Sequence, residues 1–458
     1  MYHPGRKEAF KNCITTGSGA FILMLFALYD NFPILTSDTG TYITSGFTLQ
    51  TPADRPIFYG LFIRLTSLGA SLWLTIFFQC LILSRVLIAF IQKLIPGVTR
   101  MQLTGFLLFT ALFTICGWFA GQLMPDIFTA ILILAVTSFL LFPQNKYERI
   151  ALAAIILLAT LMHNGNVMML ALFASCLLLY ALFRSGLRRY RSRILALYAI
   201  SIFSWLAFCT GNWLSGRGFV ASSATHVFIM GKLVESGVLK TYLDKACPVK
   251  NYRICAYADQ LPPVAWEFHW DASSPLQQTG GWEANRAEYN AIIRDIFSRP
   301  KYYPYIAYKS LEATARQLVL FNIDGTYVLP WMKFDEETSP YKAIQQYYPH
   351  ELNELKASRQ NTKTLSIPFY DNLFVTVIVL STVLLLFLMP DREKKLFYRL
   401  VCCAGMLMLL NAFTTAVLSS VNPRFMSRVI WIIPFINLIM LFRIIAPMRI
   451  LPRGVSGS

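Results

Sequence analysis

Residues 126–143 read DIFTAILILAVTSFLLFP, a single aspartate followed by an uninterrupted run without charge. An apolar run of about 20 residues is long enough to cross the hydrocarbon core of a bilayer as a helix. Similar runs recur along the chain and predict ten membrane spans, over residues 13–30, 70–92, 101–121, 126–143, 150–165, 167–184, 193–214, 369–389, 397–420 and 429–446. We therefore expect an all-α polytopic membrane protein.

The composition of the chain supports this fold class. Of 458 residues, 55% are hydrophobic and only 14% are charged, whereas a soluble domain carries about 25% charged residues. This difference excludes a soluble, coiled-coil or disordered protein. The formal net charge is +17, but the basic residues gather in short loops between apolar runs, as the positive-inside rule requires. Their distribution favours a membrane topology over nucleic-acid binding.

The basic residues also predict the orientation of the chain. One set of loops contains nearly all of those near the spans: Arg6, Lys7, Lys11, Lys93, Arg100, Lys146, Arg149, Arg184, Arg188, Arg189, Arg191, Arg193, Arg392, Lys394, Lys395, Arg399, Arg443, Arg449 and Arg453. The opposite short loops, near residues 117–126, 163–166 and 421–428, contain only Arg424 and Arg428. Both termini are therefore predicted to be cytoplasmic. No small-residue cleavage site follows the first span, which predicts an uncleaved anchor.

Two segments on the non-cytoplasmic side organise the chain. The first outer loop, residues 30–68, has an apolar second half beginning at Arg55, which predicts an amphipathic helix at the membrane surface. The second segment, residues 215–368, has ordinary polar composition and predicts a mixed extracytoplasmic domain. The remaining residues are expected to form a seven-helix module at residues 1–214 and a three-helix module at residues 369–458.

Two features are predicted inside the 215–368 domain. Tyr289, Ile292, Ile293 and Ile296 recur at helical spacing and predict a helix over residues 285–320. Cys247 and Cys255 are the only two of nine cysteines in a polar region. On the non-cytoplasmic side they are expected to form a disulfide. A metal site is the alternative, but no histidine lies nearby and the spacing is not a zinc pattern.

Ionisable residues at the ends of spans are functional candidates, because charge near the hydrocarbon core is costly. Asp38 lies among small residues in the first outer loop, which also contains Asp30 and Tyr42. It either caps the helix beginning near Thr39 or serves as a catalytic carboxylate. Asp126 opens the fourth span, where it either complements the helix dipole or is a second functional carboxylate.

Arg424 and Arg428 lie on the outer face, against the positive-inside trend. A guanidinium matches the oxygens of a phosphate ligand, and the alternative is a snorkelling pair that contacts lipid headgroups. The position of His163 in a tight outer turn favours a structural role for this histidine over that of a general base. No phosphate-binding loop, nucleotide-binding glycine pattern or zinc motif is visible in the sequence.

This layout resembles the integral-membrane glycosyltransferases of the GT-C superfamily, such as the aminoarabinose transferases of lipid A and the protein O-mannosyltransferases. The resemblance rests on Asp38 with Asp30 before it, on the Asp54-Arg55-Pro56 sequence, on Asp126, and on a large outer domain before the last spans. It implies a bacterial-type inner (plasma) membrane and an active site on the extracytoplasmic face. It also implies a polyprenyl-phosphate-sugar donor and a glycan, lipid or protein acceptor, with membrane lipids around the protein and no nucleic-acid partner.

The resemblance further implies an inverting transfer with defined residue roles. Asp38 would be the general base for the acceptor, and Asp126 would orient its partners or share a cation with it. Arg424, Arg428 and Arg55 would bind the donor phosphate. Further residues expected to contact the acceptor or support the site are Asp30, Tyr42, His163 and His269. A divalent cation is left open as a cofactor, and no metal ligands are assigned.

Two alternatives use similar lipid-linked material. An O-antigen-type polymerase or ligase would depend on Arg217, His226 and His269 in the large outer segment. A transporter of lipid-linked glycans would bind near the membrane midplane through interrupted helices. The candidate residues instead collect on one predicted face, which favours chemistry at the outer leaflet.

Overall fold

The computed structural model describes residues 4–183, 190–323, 333–365 and 370–445, with side chains from residue 13 onward. Within these ranges there is no β-strand, and one isolated bridge pairs Ile34 with Gln122. The all-α prediction is confirmed. The mixed character predicted for residues 215–368 is wrong for the described part, because its apolar residues are spaced for helices rather than alternating strands.

Some residues used for the orientation fall outside this description. Arg184, Arg188, Arg189, Arg449 and Arg453 lie outside the described residues, as do the side chains of Arg6, Lys7 and Lys11. The predicted end of the outer domain at Pro368 also lies outside them.

The described helices fall into three groups along the chain. The first group is α1 (Pro4–Leu23), α2 (Leu25–Asp30), α3 (Thr39–Thr48), α4 (Phe58–Ser67), α5 (Leu72–Leu94), α6 (Arg100–Leu112), α7 (Cys116–Ala120), α8 (Ile127–Leu141), α9 (Lys146–Leu161), α10 (Asn164–Phe183) and α11 (Arg191–Leu214). The second is α12 (Thr225–Glu235), α13 (Val238–Ala246), α14 (Ala265–Trp270), α15 (Pro275–Gln278), α16 (Gly281–Ala284), α17 (Arg286–Phe297), α18 (Tyr303–Val319), α19 (Ser339–Tyr347) and α20 (Leu352–Ala357). The third is α21 (Tyr370–Leu388), α22 (Asp391–Leu418), α23 (Pro423–Ile430) and α24 (Ile432–Ile445).

Six of these stretches are long and apolar enough to cross a membrane. They are α5, α10, α11, α21, α22 and Pro423–Ile445, which joins α23 and α24. Two shorter apolar stretches, Cys13–Leu23 and Ile127–Leu141, coincide with further predicted spans. The six long stretches indicate a membrane protein. By length and composition alone, they do not confirm the predicted count of ten spans.

Interruptions explain part of this difference. The predicted span at residues 101–121 is divided between α6 and α7, and the Tyr370 hydroxyl lies 2.7 Å from the carbonyl oxygens of both Leu112 and Thr114 at the break. The last predicted span is also interrupted, at Trp431, but α23 and α24 together still form one of the six long stretches. There Pro434 lacks the N–H that would bond to the carbonyl of the residue four positions earlier. Of the two breaks, only the one between α6 and α7 lowers the number of long apolar stretches.

Helix α8 forms the centre of the helical bundle. All of its residues from Ile127 to Leu140 are buried, in accord with a sequence that is apolar on every side. It packs against α5, α9, α22 and α23. The residue immediately before this helix, Asp126, is therefore carried into the interior at one end of the bundle.

Close backbone contact fixes α3 against α4. A Cβ added at Gly60 would lie 2.6 Å from the Tyr42 carbonyl oxygen and 2.8 Å from the Gly46 nitrogen. Only a residue without a side chain permits this approach, and Gly46 meets Gly60 in the same way. The contact holds the segment before α3, which contains Asp38, next to the segment before α4, which contains Arg55.

The connections between helices separate into two ends of the bundle. At the loop end, hydrogen bonds join Ile34 N–H to the Gly121 oxygen (3.0 Å), Ala224 N–H to the Ala53 oxygen (3.1 Å), Asn164 Nδ2 to the Asp54 oxygen (3.2 Å) and Gln317 Nε2 to the Asn422 oxygen (2.8 Å). At the basic end, Lys93 pairs with Glu148 (3.0 Å), Arg443 pairs with Glu393 (3.0 Å), and Arg193 Nη1 donates to the Leu140 oxygen (2.9 Å).

The described part of residues 215–365 has two hydrophobic cores. Helices α12, α13 and α17 enclose a small separate core that includes Met230, Leu243 and Ile292. Helix α19 and the residues after it instead join the main core and pack on α3. The predicted helix at residues 285–320 is present as α17 and α18, with Pro300 at the break between them.

Cys247 and Cys255 form a disulfide within the smaller core region, with Cα atoms 5.7 Å apart. It closes the short loop that follows α13.

Replacing Gly60 tests the α3–α4 contact. Gly60→Ala should destabilise the protein by about 1–3 kcal/mol, because the added methyl group meets backbone atoms that cannot move aside cheaply. Gly105→Ala is the matched control, since nothing lies within 4 Å of its added Cβ. Thermal unfolding in detergent should show a lower midpoint for Gly60→Ala alone, and equal midpoints for both variants would contradict the packing described.

Candidate functional site

Two aspartates at helix starts direct their carboxylates away from the helix ends. Asp38 precedes α3 and Asp126 precedes α8, yet neither side chain makes a capping hydrogen bond. The backbone at Asp38 is shaped by its neighbours instead, because Thr36 N–H donates to Thr39 Oγ1 (2.9 Å) and Asp38 N–H donates to Thr36 Oγ1 (3.1 Å). The cap interpretation therefore does not account for the Asp38 carboxylate.

Both carboxylates contact Arg424 on α23. Arg424 Nη1 lies 3.2 Å from Asp38 Oδ2, and Arg424 Nη2 lies 2.8 Å from Asp126 Oδ2. Asp38 and Arg424 are 386 residues apart in the chain. A guanidinium thus occupies the position between the two carboxylates where the sequence suggested a shared cation.

The contacts continue on both sides of Arg424. Arg428 Nη1 lies 2.9 Å from Asp126 Oδ1, and Arg55 Nη1 lies 3.0 Å from Asp38 Oδ1. Arg55 Nη2 also pairs with Asp54 Oδ2 at 2.6 Å. We call this set the charge network: Asp54, Arg55, Asp38, Arg424, Asp126 and Arg428. With three carboxylates and three guanidiniums, it is formally neutral.

Burial changes along the charge network. The side chains of Asp126 and Arg428 are completely buried, whereas 29% of the Asp38 side chain is exposed. Arg55 and Arg424 lie between these extremes. The network therefore has a buried part inside the bundle and a more accessible part at Asp38.

Neighbouring polar residues hold the buried part in place. Asn411 on α22 accepts a hydrogen bond from Arg428 Nη2 (2.8 Å) and donates to the Phe425 oxygen (2.7 Å). Gln317 and Asn422 exchange two hydrogen bonds of 2.8 and 2.9 Å, which fix the start of α23. The network is thus supported by residues from α18 and α22.

A second group supports the turn before Asp126. Gln79 Nε2 donates to the oxygens of Ala120 and Gln122, both at 2.7 Å, and Gln79 Oε1 accepts from the Tyr59 hydroxyl (3.0 Å). The ring of Tyr59 contacts that of Tyr42, with centroids 5.1 Å apart. The Arg55 guanidinium lies 5.2 Å from the Tyr42 ring centroid. Tyr42 therefore contributes a cation–π contact to the network.

The charges around Asp38 determine its ionisation. Burial acts to raise the pKa of Asp38, but the positive charges of Arg55 and Arg424 outweigh it and lower the pKa from 3.8 to about 2. Asp38 is therefore a carboxylate at neutral pH. Because the ionised form is favoured in the folded state, its stabilising contribution is present at neutral pH and is lost as pH falls through about 2.

A contribution to the stability of the fold does not explain why these charges are buried. Removing ions from water costs several kcal/mol each, and replacement of a buried ion network by apolar side chains is often stabilising. Arg428 Nε is moreover buried without a hydrogen-bond partner. Because burying these charges costs free energy, the charge network at the end of the apolar bundle is a candidate site for catalysis or ligand binding.

Other predicted site residues lie elsewhere. Asp30 is buried and accepts a hydrogen bond from Gln360 N–H (2.6 Å), so it anchors the segment after α20. His269 is buried in the smaller core against Phe228, with ring centroids 4.8 Å apart, and burial lowers its pKa to about 4. Neither side chain contacts the charge network.

His163 lies near the network without pairing to it. Its Nδ1 accepts a hydrogen bond from Gly165 N–H (3.0 Å), which stabilises the turn before α10. The next residue, Asn164, donates to the backbone carbonyl oxygen of Asp54 (3.2 Å) and so joins this turn to the segment that carries Asp54 and Arg55. This geometry gives His163 a structural role.

The sequence interpretation missed Asp54 and Asn411. Asp54 enters the sequence interpretation only within Asp54-Arg55-Pro56, although its position next to Arg55 is a signal for a paired charge. Asn411 is a polar residue inside an apolar helix, which is itself a signal for a functional or structural partner. Among the described residues, no group of three or more His, Cys, Asp or Glu side chains could hold a metal ion.

Comparisons with protein-family models, with curated proteins and with solved structures find no match to this chain.

Removing the buried carboxylate should destabilise the fold. Asp126→Asn keeps the size of the side chain but leaves Arg428 without its ion-pair partner, and breaking a buried pair costs about 3–5 kcal/mol. Asp244→Asn is the control, because Asp244 pairs with Lys240 at 2.6 Å on the exposed surface. Thermal unfolding should show a large loss for Asp126→Asn and little change for the control. A wild-type midpoint for Asp126→Asn would refute the network as a structural unit.

Proposed function

We propose that this chain is an integral-membrane glycosyltransferase of the GT-C type. It would transfer a sugar from a polyprenyl-phosphate donor to an acceptor at the outer leaflet of a bacterial-type inner membrane. The observation that carries the proposal is the partly exposed Asp38 carboxylate held between Arg55 and Arg424. A base next to two phosphate-binding side chains is the minimum set that this reaction needs.

The arrangement of the loops supports the proposed topology. The short loop-end turns at residues 117–126 and 163–166 contain no Lys or Arg, whereas the basic end gathers Lys93, Arg193 and Arg443. Under the positive-inside rule the basic end faces the cytoplasm. The Cys247–Cys255 disulfide is consistent with an oxidising compartment on the opposite side. These observations support an extracytoplasmic charge network, and we retain ten spans as part of the proposal.

The chemistry follows from these positions. The acceptor hydroxyl oxygen attacks the anomeric carbon of the donor sugar, and the bond from that carbon to the phosphate oxygen breaks. The bonding electrons leave with the polyprenyl phosphate, and the hydroxyl proton passes to Asp38. Arg424 and Arg55 stabilise the leaving phosphate electrostatically, while general-base assistance contributes roughly 10²–10⁴-fold to the rate.

The neutrality of the charge network links these steps. While Asp38 is paired with two guanidiniums, its pKa of about 2 makes it a weak base. A donor phosphate that draws Arg424 or Arg55 towards itself removes part of this stabilisation and raises the basicity of Asp38. When Asp38 then takes the proton, the network gains a net positive charge as the leaving phosphate gains negative charge.

Asp126 and Arg428 have a positioning role in this mechanism. Both are fully buried, and Arg428 is already engaged by Asp126 and Asn411. Arg428 is therefore poorly placed to bind a donor directly, in contrast to its expected role. The buried pair instead holds Arg424 at the depth at which it can contact Asp38.

The alternative of a polymerase or ligase is less well supported. Its critical histidines are buried among the helices of the smaller core, where His226 Nε2 lies 2.8 Å from the Trp282 oxygen. These two histidines do not form an accessible site with Arg217. A transporter would place its binding site near the midplane, whereas the charge network lies at helix ends.

The Asp38→Asn variant tests the general-base role of Asp38 separately from its contribution to folding. The side chain keeps its size, and Arg424 and Arg55 retain Asp126 and Asp54 as partners. Transfer should fall by at least about 10², while thermal stability should fall less than in Asp126→Asn, because the Asp38 side chain is 29% exposed. The assay measures polyprenyl phosphate released from a panel of radiolabelled polyprenyl-phosphate sugars, with a total envelope extract as the acceptor. Asp244→Asn should retain full activity, and unchanged turnover in Asp38→Asn would exclude Asp38 as the base.

Cysteine labelling tests the proposed orientation. Ala272 in the 215–365 segment and Lys146 at the basic end are both exposed. With an impermeant maleimide on intact spheroplasts, Ala272→Cys should label above the wild-type background and Lys146→Cys only after lysis. The reverse pattern would invert the topology and remove the active site from the outer leaflet.

A further inference from the structure

An exposed group of aromatic rings lies on the smaller helical core. The Phe228 and Trp282 ring centroids are 5.9 Å apart, and those of Trp270 and Trp282 are 5.2 Å apart. Trp270 is 47% exposed, and the other two rings are partly exposed. We call these three rings the aromatic platform. Contiguous exposed apolar surface rimmed by polar residues marks interaction or ligand-binding sites.

The aromatic platform is joined to the edge of the charge network. Ala224 N–H and Ser223 Oγ both lie 3.1 Å from the Ala53 oxygen, next to Asp54. Phe228 follows Ala224 by one helical turn, about 6 Å along α12. These contacts place the start of α12 beside the segment that carries Asp54 and Arg55.

His226 connects the same turn of α12 to the second tryptophan. Its Nε2 lies 2.8 Å from the backbone oxygen of Trp282. The buried histidine therefore positions the Trp282 segment against the first turn of α12. This fixes one ring of the platform relative to the network and gives His226 a structural reason for its burial.

The polar residues beside the rings indicate what the platform binds. Asp271 follows Trp270 and Glu283 follows Trp282 in the sequence. Asp271 Oδ1 accepts two hydrogen bonds from Ser273, and Glu283 is paired with Arg286 at 2.7 Å. Exposed carboxylates are unfavourable against an anionic lipid surface. They are favourable partners for hydroxyl groups, since a carboxylate accepts hydrogen bonds with both oxygens.

We infer that the aromatic platform is the subsite for a carbohydrate acceptor. The C–H groups of a sugar ring carry partial positive charge and pack against the negative face of an aromatic ring. A glycan lying on Trp270 and Trp282 would present its outer hydroxyls to the neighbouring carboxylates and extend a further hydroxyl towards Asp38. This inference rests on the proposed function and narrows its acceptor to a glycan.

Binding to defined sugars tests the platform independently of catalysis. Full-length protein in nanodiscs is applied to an array of defined oligosaccharides. The wild type and Asp244→Asn should bind the same glycans, whereas Trp270→Ala and Trp282→Ala should bind them about tenfold more weakly or worse. Trp213→Ala is the control, because Trp213 is 61% exposed but lies outside the platform. Trp270→Phe should restore most of the binding, which separates ring contact from a folding defect.

The outcomes distinguish the two proposals. No glycan binding by a wild-type protein that is active in transfer would overturn the platform and leave the transferase proposal standing. Glycan binding that depends on the tryptophans, in a protein without transfer activity, would support the platform and reject the transferase. A third measurement uses vesicles that contain brominated phosphatidylglycerol. Strong quenching of the platform tryptophans, lost in Trp270→Ala and Trp282→Ala, would identify them as membrane anchors and refute the inference.

Discussion

The contact of Arg424 with two carboxylates is the interaction on which the loop end of the protein depends. Asp38 and Asp126 come from different helical segments, and Arg424 belongs to a third segment near the end of the chain. The fork of a guanidinium can satisfy both carboxylates at once, which a lysine ammonium does less well. In bringing these segments together, Arg424 also determines where Asp38 is exposed. The same side chain is thus a structural link and a candidate phosphate ligand.

The gradient of burial along the charge network gives its two parts different roles. The Asp126–Arg428 pair is fully buried and supported by Asn411, so its geometry is fixed. The Asp38 part is more accessible, and its ion pairs can be exchanged for contacts with a ligand. A site built in this way would hold its cations in place before the proposed donor arrives, and such preorganisation is what makes electrostatic stabilisation effective. The aromatic platform is the proposed subsite for the acceptor, and the start of α12, which carries Phe228, bonds to Ala53.

The sequence predicted the components of the site better than their connections. Apolar runs locate the helices because length and hydropathy are local properties, and charges at their ends identify Asp38, Asp126, Arg424 and Arg428 as candidates. Whether these residues meet depends on contacts between segments hundreds of residues apart, which no local pattern contains. Asp30 shows the limit, since it shares a loop with Asp38 but bonds to Gln360 instead. The ten-span count was affected in a similar way, because the break at Thr114 is stabilised by Tyr370 from a distant helix.

The central claim is that the charge network binds a polyprenyl phosphate through Arg424. Native mass spectrometry of protein released gently from detergent tests this claim most directly. The wild type and Asp38→Asn should each retain a lipid whose fragments identify it as polyprenyl phosphate or its glycosylated form. Arg424→Lys should lose most of this lipid while retaining bulk phospholipids, because the guanidinium fork is lost and the charge is kept. A wild-type protein without any such lipid, or an Arg424→Lys variant that retains it fully, would contradict the account.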